Sequence, residues 1–490
     1  MGSVPIFPYF LSFLAGAATV LAFAPLALHP LAFLTLAFLI HTWIAAPPRR
    51  CAWSGFWFGL GFYGAGVSWV YVSLHTFGAM PGPLAAFATA GYCAFLALFP
   101  AAAGWLQARV PARESVRACL LIPATWVLLE WMLSWILTGF PWLALGYTSA
   151  GWPLQGYAPL GGVYAISFLT VSVAGLLWLI ARRERALAFA VTALAVLGGG
   201  EALRHVTWTA PAGQPVAVAL LQGNIEQEMK FRPERAPKIL ETYAQLAEGT
   251  GARLIVFPET ALPAFFDRIH PAYIARLEAA ARRNDGDLLL GVPYRSGRDE
   301  YYNSVLTLGV SPNQAYHKVH LVPFGEFIPP GWGWILRWLS IPLSDFNRGA
   351  PGQPPLAVAG QRVALNICYE DAFGDELAQR ATEATLLVNV SNVAWFGDSL
   401  APAQHLHMAR LRAIESGRQY LTATNTGITA AIDRDGRVLK RLPQFTEARL
   451  EIAAQGYSGA TPYLRLRDWP IVLVSLAILG GAIIRARMTR

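Results

Sequence analysis

The chain has 490 residues, of which 54% are hydrophobic and only 14% charged, with 17 Trp and a positive mean hydropathy. That composition excludes an ordinary soluble globule and points to a membrane protein. The formal net charge of +8 reflects membrane topology, since the arginines cluster between apolar runs, and is not read as a nucleic-acid footprint.

Charge is spread unevenly along the chain. The first 48 residues carry no Lys, Arg, Asp or Glu, whereas residues 214–456 have a normal charged surface. Apolar stretches able to cross a bilayer need roughly 20 residues, and such stretches run over 6–26, 30–46, 52–74, 82–105, 116–137, 162–180, 186–200 and 470–484. About eight spans are expected, seven of them within a helical membrane domain at 1–205 and one at 468–490, with a soluble domain at 214–456 between. The first run lacks a basic n-region and is too long for a cleavable signal peptide.

Orientation follows from the arginines. Arg49 and Arg50, then Arg109, Arg113 and Arg117, then Arg182, Arg183 and Arg185, and finally Arg485, Arg487 and Arg490 follow alternate spans; the loops at 27–29, 75–81 and 138–161 have no Lys or Arg. The positive-inside rule therefore puts both termini in the cytoplasm and the large soluble segment on the opposite side. Arg204 is the one near-membrane exception. Cys51, Cys93 and Cys119 lie in or beside spans, so Cys368 is the only cysteine of the exported segment. A thiol without a disulfide partner in an oxidising compartment is a candidate reactive group.

Within the soluble segment, strand-like runs at 216–221, 253–257, 288–292, 303–308, 363–367, 385–390, 420–423 and 428–432 alternate with helical spacing, as in Ile239, Tyr243 and Leu246 or Ile274, Leu277 and Ala281. One α/β domain is expected. Three of its runs end in polar groups. Val363 to Asp371 reads Val-Ala-Leu-Asn-Ile-Cys-Tyr-Glu-Asp, which presents Cys368 at the carboxyl end of a buried strand. Glu259 follows another strand between Pro258 and Pro263, and Lys318 and Glu326 punctuate an apolar, turn-rich segment. Singly, a buried cysteine is usually a small hydrophobe, and a loop Glu or Lys a solvated charge. Together they supply a base, a cation and a thiol, on the expectation that their strands are adjacent in an open sheet.

The order Phe257-Pro-Glu259, Lys318-x-His-Leu-Val-Pro-Phe-Gly-Glu326 and Cys368-Tyr-Glu370 resembles the Glu-Lys-Cys triad of the nitrilase, or carbon-nitrogen hydrolase, superfamily. With the flanking spans, the chain resembles the apolipoprotein N-acyltransferase family over almost its full length. Leu221 to Ile225, Thr138 to Tyr147, Asn389 to Asn392, Ala394 to Gly397, Gln404-His405, Arg412 to Arg418 and Thr424 to Gly427 carry further matches. The resemblance implies an extracytoplasmic α-β-β-α nitrilase-like domain in the bacterial inner membrane. It also implies a phospholipid acyl donor and, as acceptor, the N-terminal amine of the diacylglyceryl cysteine of an apolipoprotein. No metal or cofactor is expected, no nucleic-acid partner, and a monomer.

The chemistry those residues would perform is covalent. Glu259 is expected to take the thiol proton, Lys318 to stabilise the oxyanion, and Cys368 to carry the acyl group as a thioester. Glu326 is assigned to orienting Lys318, and Tyr369 and Glu370 to structure or substrate positioning. The triad alone also fits a membrane-tethered amidase or nitrilase, with water as the acceptor. Trp334 and Trp338 lie in a Trp-rich amphipathic stretch at 332–341, which is expected either to meet lipid at the bilayer surface or to pack as a helix on its own domain, and Phe231 and Trp395 are further candidate lipid contacts. Glu130 is an intramembrane carboxylate, either functional or hydrogen-bonded between helices. Phe231, Val393, Thr422 and Ser134 depart from the commoner residues of the family pattern.

Overall fold

The structure is a computed structural model that describes residues 6–297, 300–329, 331 and 345–488. The expected lipid-facing Trp334 and Trp338 therefore lie outside the described residues. The chain divides into two compact units, one of Met1–Tyr71, Pro81–Val206 and Leu466–Arg490, the other of Val72–Met80 and Thr207–Arg465.

The first unit is helical. Each of the eight apolar runs holds a helix, and five helices (Gly82–Arg109, Glu114–Leu133, Pro153–Ala181, Ala186–Leu203 and Trp469–Met488) are long and apolar enough to cross a membrane. Ile6–Thr19 and Pro30–Ile44 are shorter. Small residues let backbones approach: a Cβ on Gly61 would stand 2.0 Å from the carbonyl oxygen of Phe13, so Ile6–Thr19 and Pro48–Gly66 pack main chain to main chain. One expectation is corrected here. The apolar run at 52–74 is not a single helix, because its helix ends at Gly66, where Val67 leaves helical geometry, and Val72–Met80 is grouped with the second unit. Hydropathy alone registers no such break. Glu130 sits inside the bundle, where its Oε1 accepts from the Leu145 amide at 2.8 Å and from Trp126 Nε1 at 3.3 Å, so the carboxylate anchors the irregular segment after its own helix.

The second unit contains two six-stranded sheets. The strands of these two sheets are β1 (Val216–Gln222), β2 (Leu254–Val256), β3 (Asp287–Arg295), β4 (Tyr301–Gly309), β5 (Ala315–His317), β6 (Leu356–Val358), β7 (Gln361–Ile367), β8 (Leu386–Ser391), β9 (Tyr420–Thr424), β10 (Ala430–Ile432), β11 (Val438–Arg441) and β12 (Ala448–Ala454). The first sheet has the order β12-β1-β2-β3-β4-β5 and the second β11-β10-β9-β8-β7-β6. In each, the central strands run parallel and the edges antiparallel.

The layers follow from period-two side chains buried on both faces. In the first sheet Ala219, Leu221, Ile255, Phe257, Leu288 and Leu290 pack against Tyr243, Ala247, Leu277 and Ala281 of the helices Ala236–Glu248 and Pro271–Arg282. In the second, Ala364, Leu387, Tyr420 and Ile432 pack against Leu377, Ala381, Leu406 and Ala413 of Gly374–Ala381 and Ala401–Ser416. The alternate residues, such as Val218, Leu220, Val256, Val363 and Leu365, are equally buried and lie on the opposite faces of their sheets, completing an α-β-β-α sandwich.

Candidate active site

Glu259, Lys318 and Cys368 do not follow adjacent strands of one open sheet. Glu259 follows β2 and Lys318 follows β5, both in the first sheet, whereas Cys368 follows β7 in the second. Alternating apolar runs identify strands but not the sheet each joins, which is why the sequence reading merged the two.

The first sheet contributes charge. Glu259 lies in a turn pressed so closely on β3 that a Cβ on Gly291 would stand 2.1 Å from the Pro258 carbonyl oxygen. Lys318 Nζ donates to Glu259 Oε1 at 3.1 Å and to Glu326 Oε1 at 2.9 Å, and lies 2.8 Å from Glu326 Oε2. One further residue completes this cluster: Asn303, in β4, donates from Nδ2 to Glu259 Oε1 and to Glu326 Oε1, both at 2.7 Å. Asn392 N donates to Glu259 Oε2 at 2.7 Å and Val322 N to Glu326 Oε2 at 2.8 Å. Two carboxylates thus share one ammonium and one amide.

Their titration follows from those partners. Burial alone would raise the Glu259 carboxyl, but Lys318, Asn303 and the Asn392 amide hold it below the usual range. Burial raises Glu326, with Glu259 repelling its charge and Lys318 opposing the shift. Burial would lower Lys318, yet the two carboxylates raise it. The two carboxylates thus favour the charged ammonium of Lys318.

The second sheet contributes the thiol and a constrained backbone. Cys368 has φ 53°, a left-handed conformation rare for a side-chain-bearing residue. Its carbonyl accepts from Asn389 Nδ2 at 3.1 Å and lies 3.3 Å from His405 Nε2, which is also 3.1 Å from Asp371 Oδ1. Glu370 joins the two sheets. It accepts from the amides of Ile367 at 2.7 Å, Val319 at 2.8 Å and His320 at 3.1 Å, and from the Tyr316 hydroxyl at 2.9 and 3.0 Å, so it ties the Lys318 loop to the Cys368 turn. Tyr369 is buried edge-on to Phe373. Burial pushes the Cys368 thiol well up, Glu259 adds to the rise and Lys318 opposes it. Burial therefore favours the protonated thiol over a preformed thiolate.

Trp395 stands in the segment after β8, its carbonyl accepting from Ser73 Oγ at 2.8 Å and its ring edge-on to Phe77 at 6.1 Å. Phe231 is half-buried in the loop after β1. That loop is pinned by Asn425, which accepts from the Ile225 amide at 2.9 Å and donates to the Ile225 carbonyl at 2.7 Å, and by Asn392, which donates to Gln227 at 2.8 Å. Sequence reasoning missed Asn303, Lys230 and the His405–Asp371 pair. The available signal was a polar side chain inside an apolar strand, and a lysine flanked by Met229 and Phe231.

The profile of the Apolipoprotein N-acyltransferase N-terminal domain matches residues 15–176, and that of Carbon-nitrogen hydrolase residues 217–462. Among curated proteins, an Apolipoprotein N-acyltransferase from Nitrosomonas europaea is 47% identical over 480 residues, spanning 96% of each chain. The chain belongs to the apolipoprotein N-acyltransferase family. Another member, from Methylococcus capsulatus, is 44% identical and spans 97% of this chain and 96% of its own. A solved amidase of the nitrilase superfamily from Nesterenkonia AN1 is 20% identical, with TM-score 0.38, over 53% of this chain and 97% of its own. As a member of the family, the chain is an acyltransferase whose second unit is a carbon-nitrogen hydrolase domain, and its apolar helices fit a membrane enzyme.

Proposed function

We propose that the chain moves a fatty acyl group from a membrane phospholipid to Cys368, and from there to the N-terminal α-amine of a diacylglyceryl cysteine on an apolipoprotein. The observation that carries this reading is the convergence of Glu259, Glu326 and Lys318 from one sheet with Cys368 from the other, in a family member with apolar helices. In the first half-reaction the Cys368 proton passes to Glu259 as sulfur bonds to the ester carbonyl carbon, and the carbonyl electron pair moves to oxygen near Lys318. Collapse expels the glyceryl oxygen, which takes the proton back from Glu259 and leaves as lysophospholipid. In the second, the acceptor amine attacks the thioester and loses a proton to Glu259; the proton returns to sulfur as the amide forms. Glu326 orients Lys318, and Glu370 fixes the backbones that present Lys318 and Cys368. Phe231, Trp395, Trp334 and Trp338 serve lipid or substrate contact.

The arginine distribution supports cytoplasmic termini and a periplasmic catalytic domain in the inner membrane of a bacterium. A phospholipid donor also gives membrane helices a purpose that a soluble amide does not. Intact-protein mass spectrometry of the detergent-purified chain with phospholipid tests the reading. A mass gain of one acyl chain, absent from Cys368→Ala and discharged by a diacylated lipopeptide but not by water, is the expected result. Discharge by water alone would replace the transferase with a membrane-tethered amidase or related hydrolase.

A further inference from the structure

Lys230 is the second buried lysine of this site, and its surroundings differ from those of Lys318 in one respect. Lys318 directs its protons to two carboxylates, whereas the ammonium of Lys230, a residue only 1% exposed, makes one hydrogen bond among the described residues, at 3.4 Å to the main-chain carbonyl of Glu259. No ion pair compensates it there. A buried ammonium without a paired carboxylate costs stability, and such groups concentrate at functional sites. Its position is specified, because the loop carrying it is held by Asn425 and Asn392, and Asn392 also donates its amide to Glu259. The groups whose charges act on it are Glu259 and Cys368.

We infer that Lys230 is a second cation of the reaction, acting beside Lys318: its uncompensated charge stabilises the anionic states that form on Cys368, first the thiolate sulfur and then the tetrahedral oxyanion, whereas the charge of Lys318 is shared with Glu259 and Glu326. The inference rests on Cys368 being the acylated nucleophile. Protons balance as in the scheme above: the thiol proton goes to Glu259 and returns to the leaving oxygen, and Lys230 stays protonated throughout. Burial lowers its ammonium to about 8, opposed by Glu259 and Cys368, so its charge is present at neutral pH and fades as pH rises past that value.

The test uses the full-length chain in detergent micelles with a diacyl phospholipid, reading acyl-enzyme formation by mass, and compares wild type, Lys230→Met and Lys230→Arg. Loss of one oxyanion-stabilising group typically costs 10²–10³-fold, so Lys230→Met should form acyl-enzyme about 100-fold more slowly, with the lipid KM within about twofold. It should also melt no lower than wild type, since a methionine fills the site without a buried charge. Lys230→Arg should acylate within about tenfold of wild type and lose the alkaline decline, because guanidinium keeps its proton. Acylation of Lys230→Met within about threefold of wild type would overturn the inference. So would a lower melting temperature in Lys230→Met with an unshifted alkaline limb in Lys230→Arg, which would make the lysine a structural cap on the Glu259 carbonyl. Absence of any adduct on wild type would instead remove the thioester reading on which both rest.

Discussion

The two sheets of the sandwich bring different things to their common site. The first supplies charge: Glu259, Glu326 and Lys318, cross-linked by Asn303 within hydrogen-bond distance of one another. The second supplies a thiol on a left-handed backbone, with its carbonyl held by Asn389 and His405. The charged half is cross-linked side chain to side chain, whereas the thiol half is held through its main chain, by a left-handed backbone whose carbonyl two side chains anchor. On the proposed reading, reactivity is made where the halves meet, and Glu370, bonded to amides on both sides, ties them together.

The comparison breaks most completely at the thiol. Cys368→Ala should abolish the acyl adduct and lower transfer to a lipopeptide by at least about 10⁴-fold, with little loss of stability by thermal unfolding. Removing the cation of the other half should cost both activity and fold. Lys318→Met strands two buried carboxylates, so chemical denaturation should show destabilisation of about 3–5 kcal/mol, and kcat should fall about 10²–10³-fold.

Asn303 sharpens the account within the charged half. Asn303→Leu removes the donor shared by both carboxylates, at about 1–3 kcal/mol of stability. The sign of its pH effect follows from Glu259, whose folded carboxyl is depressed. Such a group contributes stability above its unfolded pKa and loses it as pH falls through the folded value. Without Asn303 the depression shrinks, so the acid limb of both activity and stability should move to higher pH, as read from pH–rate profiles and pH-dependent melting. The smallest effect is expected at the half-buried Phe231. Phe231→Trp should change kcat by less than about threefold and stability by less than about 0.5 kcal/mol.

Much of this was legible in the chain itself. Phe257-Pro-Glu259, Lys318 to Glu326 and Cys368-Tyr-Glu370 mark the site because each places a polar group where an apolar run stops. The strands β5, β6, β11 and β12 were not legible. Two are three residues long, and the last two carry exposed polar residues such as Lys440, Arg441 and Glu451, so period and hydrophobicity do not mark them. Asn303 and Lys230 escaped because their roles come from partners distant in sequence: Asn303 reaches Glu259 across 44 residues and Lys230 reaches its carbonyl across 29. The end of the helix at Gly66 was hidden by apolar residues on both sides of the break.

The measurement that tests the account most directly is the pH dependence of Cys368 alkylation by iodoacetamide, in a background with Cys51, Cys93 and Cys119 replaced by Ser, comparing Glu259 with Glu259→Gln. If charge on one sheet acts on the thiol of the other, the midpoint in the Glu259 protein lies above that of a free thiol, about 8.5. It should then fall in Glu259→Gln even as acyl-enzyme formation at neutral pH is lost, because the variant yields its thiolate more readily but has no base to carry the proton to the leaving group. An unchanged midpoint, or acylation that survives the substitution, would contradict it.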